Sequence, residues 1–496
     1  TAPLCEVDGG VAIVSGETRP GVRTAAVAKF RLAYAWRFGW LDAVTGLLAV
    51  AALLLALRAL RTGRTRSLLA ADDRPGRGAW LAVGLLFVVA MLNYLDRQLL
   101  ATMAEPILRD VPQTNAQFGL LTAVFLFVYS ALSPAGGILA DRYGRRAVIL
   151  VSLVVWSAVT WLTGHVRNYE ELVIARALMG ISEACYIPAA LALITDHHRG
   201  RTRSLATGLH MGGVYAGQAL AGLGGYAAEA VGWRTAFAVF GLVGVGYALV
   251  VAIWLREPDG EPTSGEPAPP VPTPKATASV RTILAALAAR PAFWWLLLVM
   301  GTASISNWFV LSWLPKLLQD RFALGLGEAG ALATLPSSLA KYVAVVAGGS
   351  LADRWSRRDP RGRSKLAGWA FVVAGPMVML TTILPGDALP LFVVLVAGQG
   401  VAQGVLDATL MPIFRERVDE RYAATGYGCL NLVGAGIGGL AVLYGGALKD
   451  AGIPLSLTLA ASGGGLLLCG ILLRLLPASP SLRDHAQPSL RDQASP

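Results

Sequence analysis

The stretch GGILADRYGRR, Gly136 to Arg146, returns later in the chain as GGSLADRWSRR, Gly348 to Arg358. Each copy follows the second apolar run of a long apolar block, and each block divides into six such runs. A duplicated unit of six membrane-crossing helices is the architecture of secondary transporters, which place their substrate site at mid-membrane between the two halves. The repeat therefore sets both the expected fold and the expected position of the site.

Composition agrees with a membrane-embedded chain. Of 496 residues, 55% are hydrophobic and 15% charged, against about 25% charged in ordinary soluble domains. Many apolar runs reach the ~20 residues that a crossing helix needs, and the short alternating segments of a membrane β-barrel are missing. The net charge of +11 resides largely in short loops between apolar runs, as membrane orientation demands, so nucleic-acid binding is not implied. The four cysteines, Cys5, Cys185, Cys429 and Cys469, show no CxxC or Cys/His spacing, which indicates neither a disulfide framework nor a metal site. His197-His198 lies in a loop with no further ligand at metal spacing. No phosphate-binding P-loop is present, and the expectation is of no cofactor and no enzymatic activity.

The expected organisation is all-α and polytopic. Residues 1–35 form an extracytoplasmic segment and 36–60 an extra transmembrane helix. A basic cytoplasmic linker occupies 61–79. The first six-helix bundle spans 80–256, a Pro-rich cytoplasmic loop 257–290, the second bundle 291–476 and a disordered tail 477–496. Arginine clusters set the orientation. Arg142, Arg145 and Arg146, then Arg354, Arg357, Arg358, Arg361 and Arg363, lie on one side, and alternate loops hold few cations. The arginine-rich side is cytoplasmic, consistent with a multi-pass protein of the bacterial inner membrane.

At these residues the chain resembles the major facilitator superfamily, over roughly 80–476. Gly137, Asp141, Arg142, Gly144, Arg145 and Arg146 match that superfamily's loop motif, with Gly349, Asp353, Arg354, Arg357 and Arg358 as its second copy. The segment ARALMGISEA, with Arg176 and Gly180, resembles the family's fourth helix. Gly217 is followed by Gln218 where many antiporters of the family have Gly-Pro. The stretch NYLDRQ (Asn93 to Gln98) with GISEA is most similar to two branches, the anion–cation symporters and the Spinster-like lipid carriers. The resemblance implies that Asp96 and Glu183 are proton-linked carboxylates and that Arg97 is the cation coupled to them or to substrate. It also implies that the loop motif acts as a gate.

The residues themselves point the same way. Charge at mid-membrane costs several kcal/mol, from about 2.5 upward, and is usually functional. Asp96 and Arg97 are neighbours on one helix and point about 100° apart, so each needs a partner from elsewhere. Asn93 and Tyr94 lie about one turn back, and Glu183 is the expected partner of Arg97. A substrate anion competing for Arg97 frees a carboxylate to take a proton, which is a physical route to symport. Lys341, three turns before Asp353, is a second mid-membrane cation, with Asp407 as its expected partner. Asp407 and Arg176 belong to an expected helix network. Tyr186, His210, Asn307, Gln399, Gln403 and Asn431 are candidate cavity linings, with Tyr215 and Tyr427 beside them.

The function expected is therefore alternating-access, proton-coupled symport of a small organic anion of the sugar-acid or carboxylate class. The expected partners are the substrate, protons and the bilayer, and the expected state is monomeric. The alternatives are a Spinster-like lysolipid carrier, a drug-type exporter, and a membrane sensor that moves no substrate.

Overall fold

The computed structural model describes residues 4–7, 10–13, 77–198, 202–257, 280–418 and 423–476. The chain divides into two units, Thr1–Arg66 and Ser67–Pro496. In the first, strands β1 (Leu4–Val7) and β2 (Gly10–Ile13) pair antiparallel, with Leu4 opposite Ile13 and Val7 opposite Gly10. The reading of residues 1–35 as an extracytoplasmic segment named no hairpin, although Asp8-Gly9 between the strands is a strong two-residue turn signal. The expected extra helix at 36–60, most of the basic linker, most of the Pro-rich loop and the tail lie outside the described residues.

The second unit has only helices as regular elements among its described residues. Its first half comprises α1 (Arg77–Thr102), α2 (Ala104–Asp110), α3 (Asn115–Tyr143), α4 (Arg145–Thr163), α5 (Tyr169–Glu183), α6 (Tyr186–His197), α7 (Arg203–Leu220), α8 (Leu223–Val231) and α9 (Trp233–Trp254). After α10 (Val280–Ala288), the second half comprises α11 (Pro291–Phe322), α12 (Leu326–Ser356), α13 (Gly362–Leu380), α14 (Leu389–Arg417), α15 (Ala423–Asp450) and α16 (Leu455–Leu475). Ten helical segments among the described residues are long and apolar enough to cross a membrane, α5 and α6 counting as one. Two more crossings fall short for visible reasons. The α7–α8 pair is glycine-rich and broken at Ala221-Gly222, and α13 opens on Arg363 and Lys365.

Two breaks follow from proline. A proline ring clashes with the carbonyl four residues back and offers no N–H to it. Pro106 thus interrupts the helix at Thr102-Met103, and Pro188 interrupts it at Ala184-Cys185. The second break leaves Glu183 as the last residue of α5. Near it, the Ser182 carbonyl accepts a hydrogen bond from Ser152 Oγ on α4 at 2.5 Å.

The halves meet tightly on one face, away from the repeated loop motif. There α3 crosses α15, and α8 crosses the start of α12. Glycines make both crossings possible. A Cβ at Gly446 would stand 2.1 Å from the Asn115 carbonyl oxygen, and one at Gly225 would stand 2.4 Å from that of Leu326. Each crossing is also capped from the opposite half. Asp450 accepts from the N–H groups of Asn115 (3.0 Å) and Ala116 (2.8 Å), the first turn of α3. Glu229 accepts from the Gly327 N–H (3.1 Å), in the first turn of α12. A helix N-terminus favours negative charge, so both contacts are stabilising. Between them, Lys316 of α11 donates to Glu105 of α2 and sits 3.1 Å from Asp320, which in turn accepts from Lys449 at 2.5 Å.

Glu105 lies outside the crossing segments. The hydrogen bond from Lys316 holds its carboxyl below the usual carboxylate range, helped by Arg109. A depressed folded pKa adds stability at pH above the unfolded value, which is lost as pH falls through the folded value. Acidifying the solution on this face is therefore expected to loosen the closure. Amide exchange at Asn115, Ala116 and Gly327 should accelerate as pH drops towards about 4, after correction for intrinsic exchange. Protection that stays flat, or that changes equally in Glu105→Gln, would remove Glu105 from the closure.

The repeated motif occupies the other face. Gly144, at φ +89°, links α3 to α4 in a conformation that side chains rarely adopt. The turn lets Glu257 accept the Arg146 N–H at 2.9 Å, while Arg146 Nη2 donates to the Ala252 carbonyl at 2.6 Å. Arg145 pairs with Asp196 at 3.0 Å. In the second copy, Asp353 accepts from Arg363 at 2.7 Å, and Arg363 also reaches Glu416. These bonds run within each half. The resemblance implies that the loop motif acts as a gate. In this conformation that job is done on the other face by Glu229 and Asp450. The burial of Gly137 and the side chain of Asp141 fall outside the described set, and Arg354, Arg357 and Arg358 are exposed.

Candidate functional site

Arg97 is the centre of the site. Its Nε donates to Glu183 Oε2 at 2.5 Å, and both side chains are almost fully buried. Three rings enclose the guanidinium. Its carbon lies 4.4 Å from the centre of Tyr94, 4.4 Å from Tyr129 and 5.1 Å from Phe125. A desolvated cation over such rings gains on the order of 2 kcal/mol or more from cation–π attraction. The expected pair is thus formed, in an aromatic box of which the sequence reading named only Tyr94. Phe125 and Tyr129 looked like ordinary core residues of an apolar helix.

Helix geometry separates the neighbours Asp96 and Arg97 as expected. Arg97 faces α5, whereas Asp96 faces α4 and accepts from Thr160 Oγ1 at 3.2 Å. Both are buried. Asn93, one turn back, is fully buried beside Glu183. Arg176, two turns before Glu183 on α5, is buried on the same helix face. Its Nη1 approaches Met179 Sδ at 3.1 Å, and its guanidinium carbon is 4.8 Å from the Phe125 ring. Phe125 therefore touches both guanidinium groups. Two cations and two carboxylates make this half of the site formally neutral, which limits the cost of burying them.

The second half supplies Lys341, buried on α12, whose Nζ donates to Asn307 Oδ1 of α11 at 3.0 Å. Asp407 of α14 accepts from Gln403 Nε2 at 3.0 Å and from the Tyr215 hydroxyl of α7 at 3.2 Å. The direct Lys341–Asp407 ion pair expected from sequence is not formed: each group has taken a neutral partner, although each lies in the other's field. The Tyr215–Asp407 bond crosses between the halves, and Tyr215 also stacks edge-on against Tyr342 of α12.

Two expected linings prove to be core. Tyr186 is fully buried, donates to the Leu86 carbonyl at 2.9 Å and packs edge-on against Trp156 and His210. His210 is fully buried in the same cluster. Both contact Leu86 of α1, within the first half. Gln399 is likewise buried, and Asn431 is half-buried on α15. By contrast Tyr427 is 45% exposed although its hydroxyl feels Asp407, Tyr94 and Tyr129 from both halves. Tyr427 is thus open on one side while it neighbours groups of both halves. Among the described residues no cluster of three metal-ligating side chains occurs. His197 and His198 instead tie to the Arg256 and Ala79 carbonyls.

Known proteins resemble this chain in both sequence and fold. The sequence profile of the Major Facilitator Superfamily matches residues 86–361. An MFS-type efflux pump of Mycolicibacterium smegmatis is 32% identical over 297 residues, covering 59% of this chain and 66% of the pump. A probable sulfoacetate transporter of Cupriavidus necator is 27% identical over 389 residues, covering 73% of this chain and 84% of that one. The crystal structure of a bacterial homolog to the human lysosomal transporter Spinster, inward-facing and unoccupied, superposes with a TM-score of 0.68 at 21% identity. It covers 81% of this chain and 97% of its own.

Proposed function

Because the chain belongs to the Major Facilitator Superfamily, whose named relatives here are transporters rather than enzymes, we propose that it carries a small organic anion across the membrane together with protons, by alternating access. The observation that carries this reading is the Arg97–Glu183 pair in its aromatic box. Arg97 spends its Nε on Glu183, while its buried Nη2 has no bonding partner. An anion arriving at that nitrogen competes with Glu183 for the cation. The carboxylate so displaced is a buried charge without compensation, and it takes a proton. Substrate and proton then load together. The efflux-pump relative leaves direction open to experiment, and the sulfoacetate relative supports the anionic class.

Alternation follows from the two faces. The capped, glycine-lined crossings hold one face shut while motif bonds stay within each half on the other. The arginine excess places the motif face in the cytoplasm, so this conformation opens inward. The motif bonds to the opposite half form in the alternate conformation.

The full chain, reconstituted in liposomes under an inward proton gradient, is offered sulfoacetate, glucuronate, succinate, lysophosphatidylcholine and ethidium. Acid-driven uptake of one soluble anion is the expected result. Asp96→Asn keeps a hydrogen-bonding group for Thr160 but no titratable oxygen. It is expected to cut gradient-driven accumulation by roughly a hundredfold, while exchange at equal pH persists. Undiminished accumulation in that variant would remove Asp96 from coupling. Movement of lysophosphatidylcholine or ethidium alone would replace the anion reading with a lipid or drug carrier, and no flux of any kind would favour a sensor.

A further inference from the structure

We propose that Asp407 is the carboxylate through which protons pass between the site and the water on the motif face, an inference that rests on the symport reading above.

Charge balance constrains what this site can load. With all groups ionised, Asp96 and Glu183 balance Arg97 and Arg176, and Asp407 balances Lys341. An anion added to this neutral set is uncompensated in a poorly polar interior, so a proton has to join it. Three carboxylates are available, and they differ in access to water. Glu183 has no exposure and is bonded to Arg97. Asp96 is 3% exposed and faces Thr160 in the first half. Asp407 is exposed, yet it lies on α14 among groups from several helices. Lys341 faces it from α12, Tyr215 from α7, Tyr94 from α1, Tyr427 from α15, and Gln403 from its own helix. A carboxylate surrounded in this way and still exposed is reached through the water-filled space between the halves. Tyr427, exposed beside it, lines the same space.

Asp407 is also placed to report its protonation. As an anion it accepts two hydrogen bonds, from Tyr215 across the halves and from Gln403. A hydronium ion from the motif-face water gives up its proton to one carboxylate oxygen; an O–H bond forms and water leaves. That oxygen becomes a donor, and the Tyr215 hydroxyl can turn to accept from it. The bond between α7 and α14 changes sense with the proton. Protonation also removes the negative charge that opposes an anion at Lys341, whose Nζ is held by Asn307 and makes no ion pair with Asp407. Release of the proton to water reverses each step.

The test is pH-difference infrared spectroscopy of the full chain in bilayers, which needs no substrate. Wild type should show a reversible carboxyl band that titrates. The band should vanish in Asp407→Asn, return in Asp407→Glu and survive in Asp96→Asn. Tyr215→Phe should shift its midpoint, while Tyr186→Phe, altered in the core, should not. A band that survives in Asp407→Asn and is lost in Asp96→Asn would overturn the proposal. Asp407→Asn is also expected to lower gradient-driven accumulation by roughly a hundredfold. Wild-type accumulation in that variant would equally overturn it. If the band behaves as expected but no panel anion moves in wild type, the symport reading fails and the proton-exchange assignment stands.

Discussion

Arg97→Ala is expected to abolish uptake and to lower stability by about 3–5 kcal/mol, the cost of removing one partner of a buried ion pair. The loss has two sources. Glu183, fully buried, keeps a charge with no cation beside it. Tyr94, Tyr129 and Phe125 lose the guanidinium that fills the space among them. Adding Glu183→Gln to Arg97→Ala removes the stranded charge, so thermal unfolding in detergent should recover in part. Uptake should not, because the anion still lacks its cation. Arg97→Lys should also transport poorly: a compact ammonium has no planar fork to stack against the rings while bonding Glu183 along one edge and offering the other edge to the anion. Robust uptake by the Arg97→Ala protein at wild-type affinity would sink the role of Arg97 in binding.

The second large effect is expected from a residue with no charge. Gly446→Val puts a branched side chain where even a Cβ would stand 2.1 Å from the Asn115 carbonyl oxygen. The obstacle is backbone, which cannot rotate aside. Overpacking of this kind costs about 1–3 kcal/mol, and here it falls on one conformation only, the one in which α3 and α15 cross. The variant should fold, remain open on the capped face and lose transport by up to roughly a hundredfold, since 2.7 kcal/mol, near the top of that range, is about that factor. A cysteine replacing Asn307, with the native cysteines removed, should be labelled from that face in the variant and protected in the parent. Normal uptake by Gly446→Val, or unchanged protection, would show that the crossing can loosen without penalty.

What could be read from sequence depended on contrast. The Arg97–Glu183 pair stood out because each charge interrupts an apolar run, where its cost demands a reason. The duplicated motif fixed two bundles for the same reason: ionic residues at matched places in apolar blocks. The aromatic box was invisible, because Phe125 and Tyr129 sit in α3 among other apolar and aromatic residues. Tyr186 and His210 were misplaced in the cavity. In a membrane helix the lipid side and the core side are both apolar, so periodicity does not say which face a lone polar residue takes. Distance in sequence hid the rest. Tyr215 and Asp407 meet through tertiary packing alone, and the caps on α3 and α12 come from the ends of α15 and α8 in the opposite half.

Those two caps carry a further meaning. By position in the repeat, α7 and α8 together correspond to α15, and α3 corresponds to α12. Glu229 at the end of α8 serves the start of α12, and Asp450 at the end of α15 serves the start of α3. Each half thus gives one acid and receives one, and each contact is the image of the other. That reciprocity is the rule for an isologous, two-fold interface, where a patch is complementary to its own copy. A six-helix unit bearing both features could have bound a second identical unit before the two were joined in one chain, and the closed face still has the form of such a dimer.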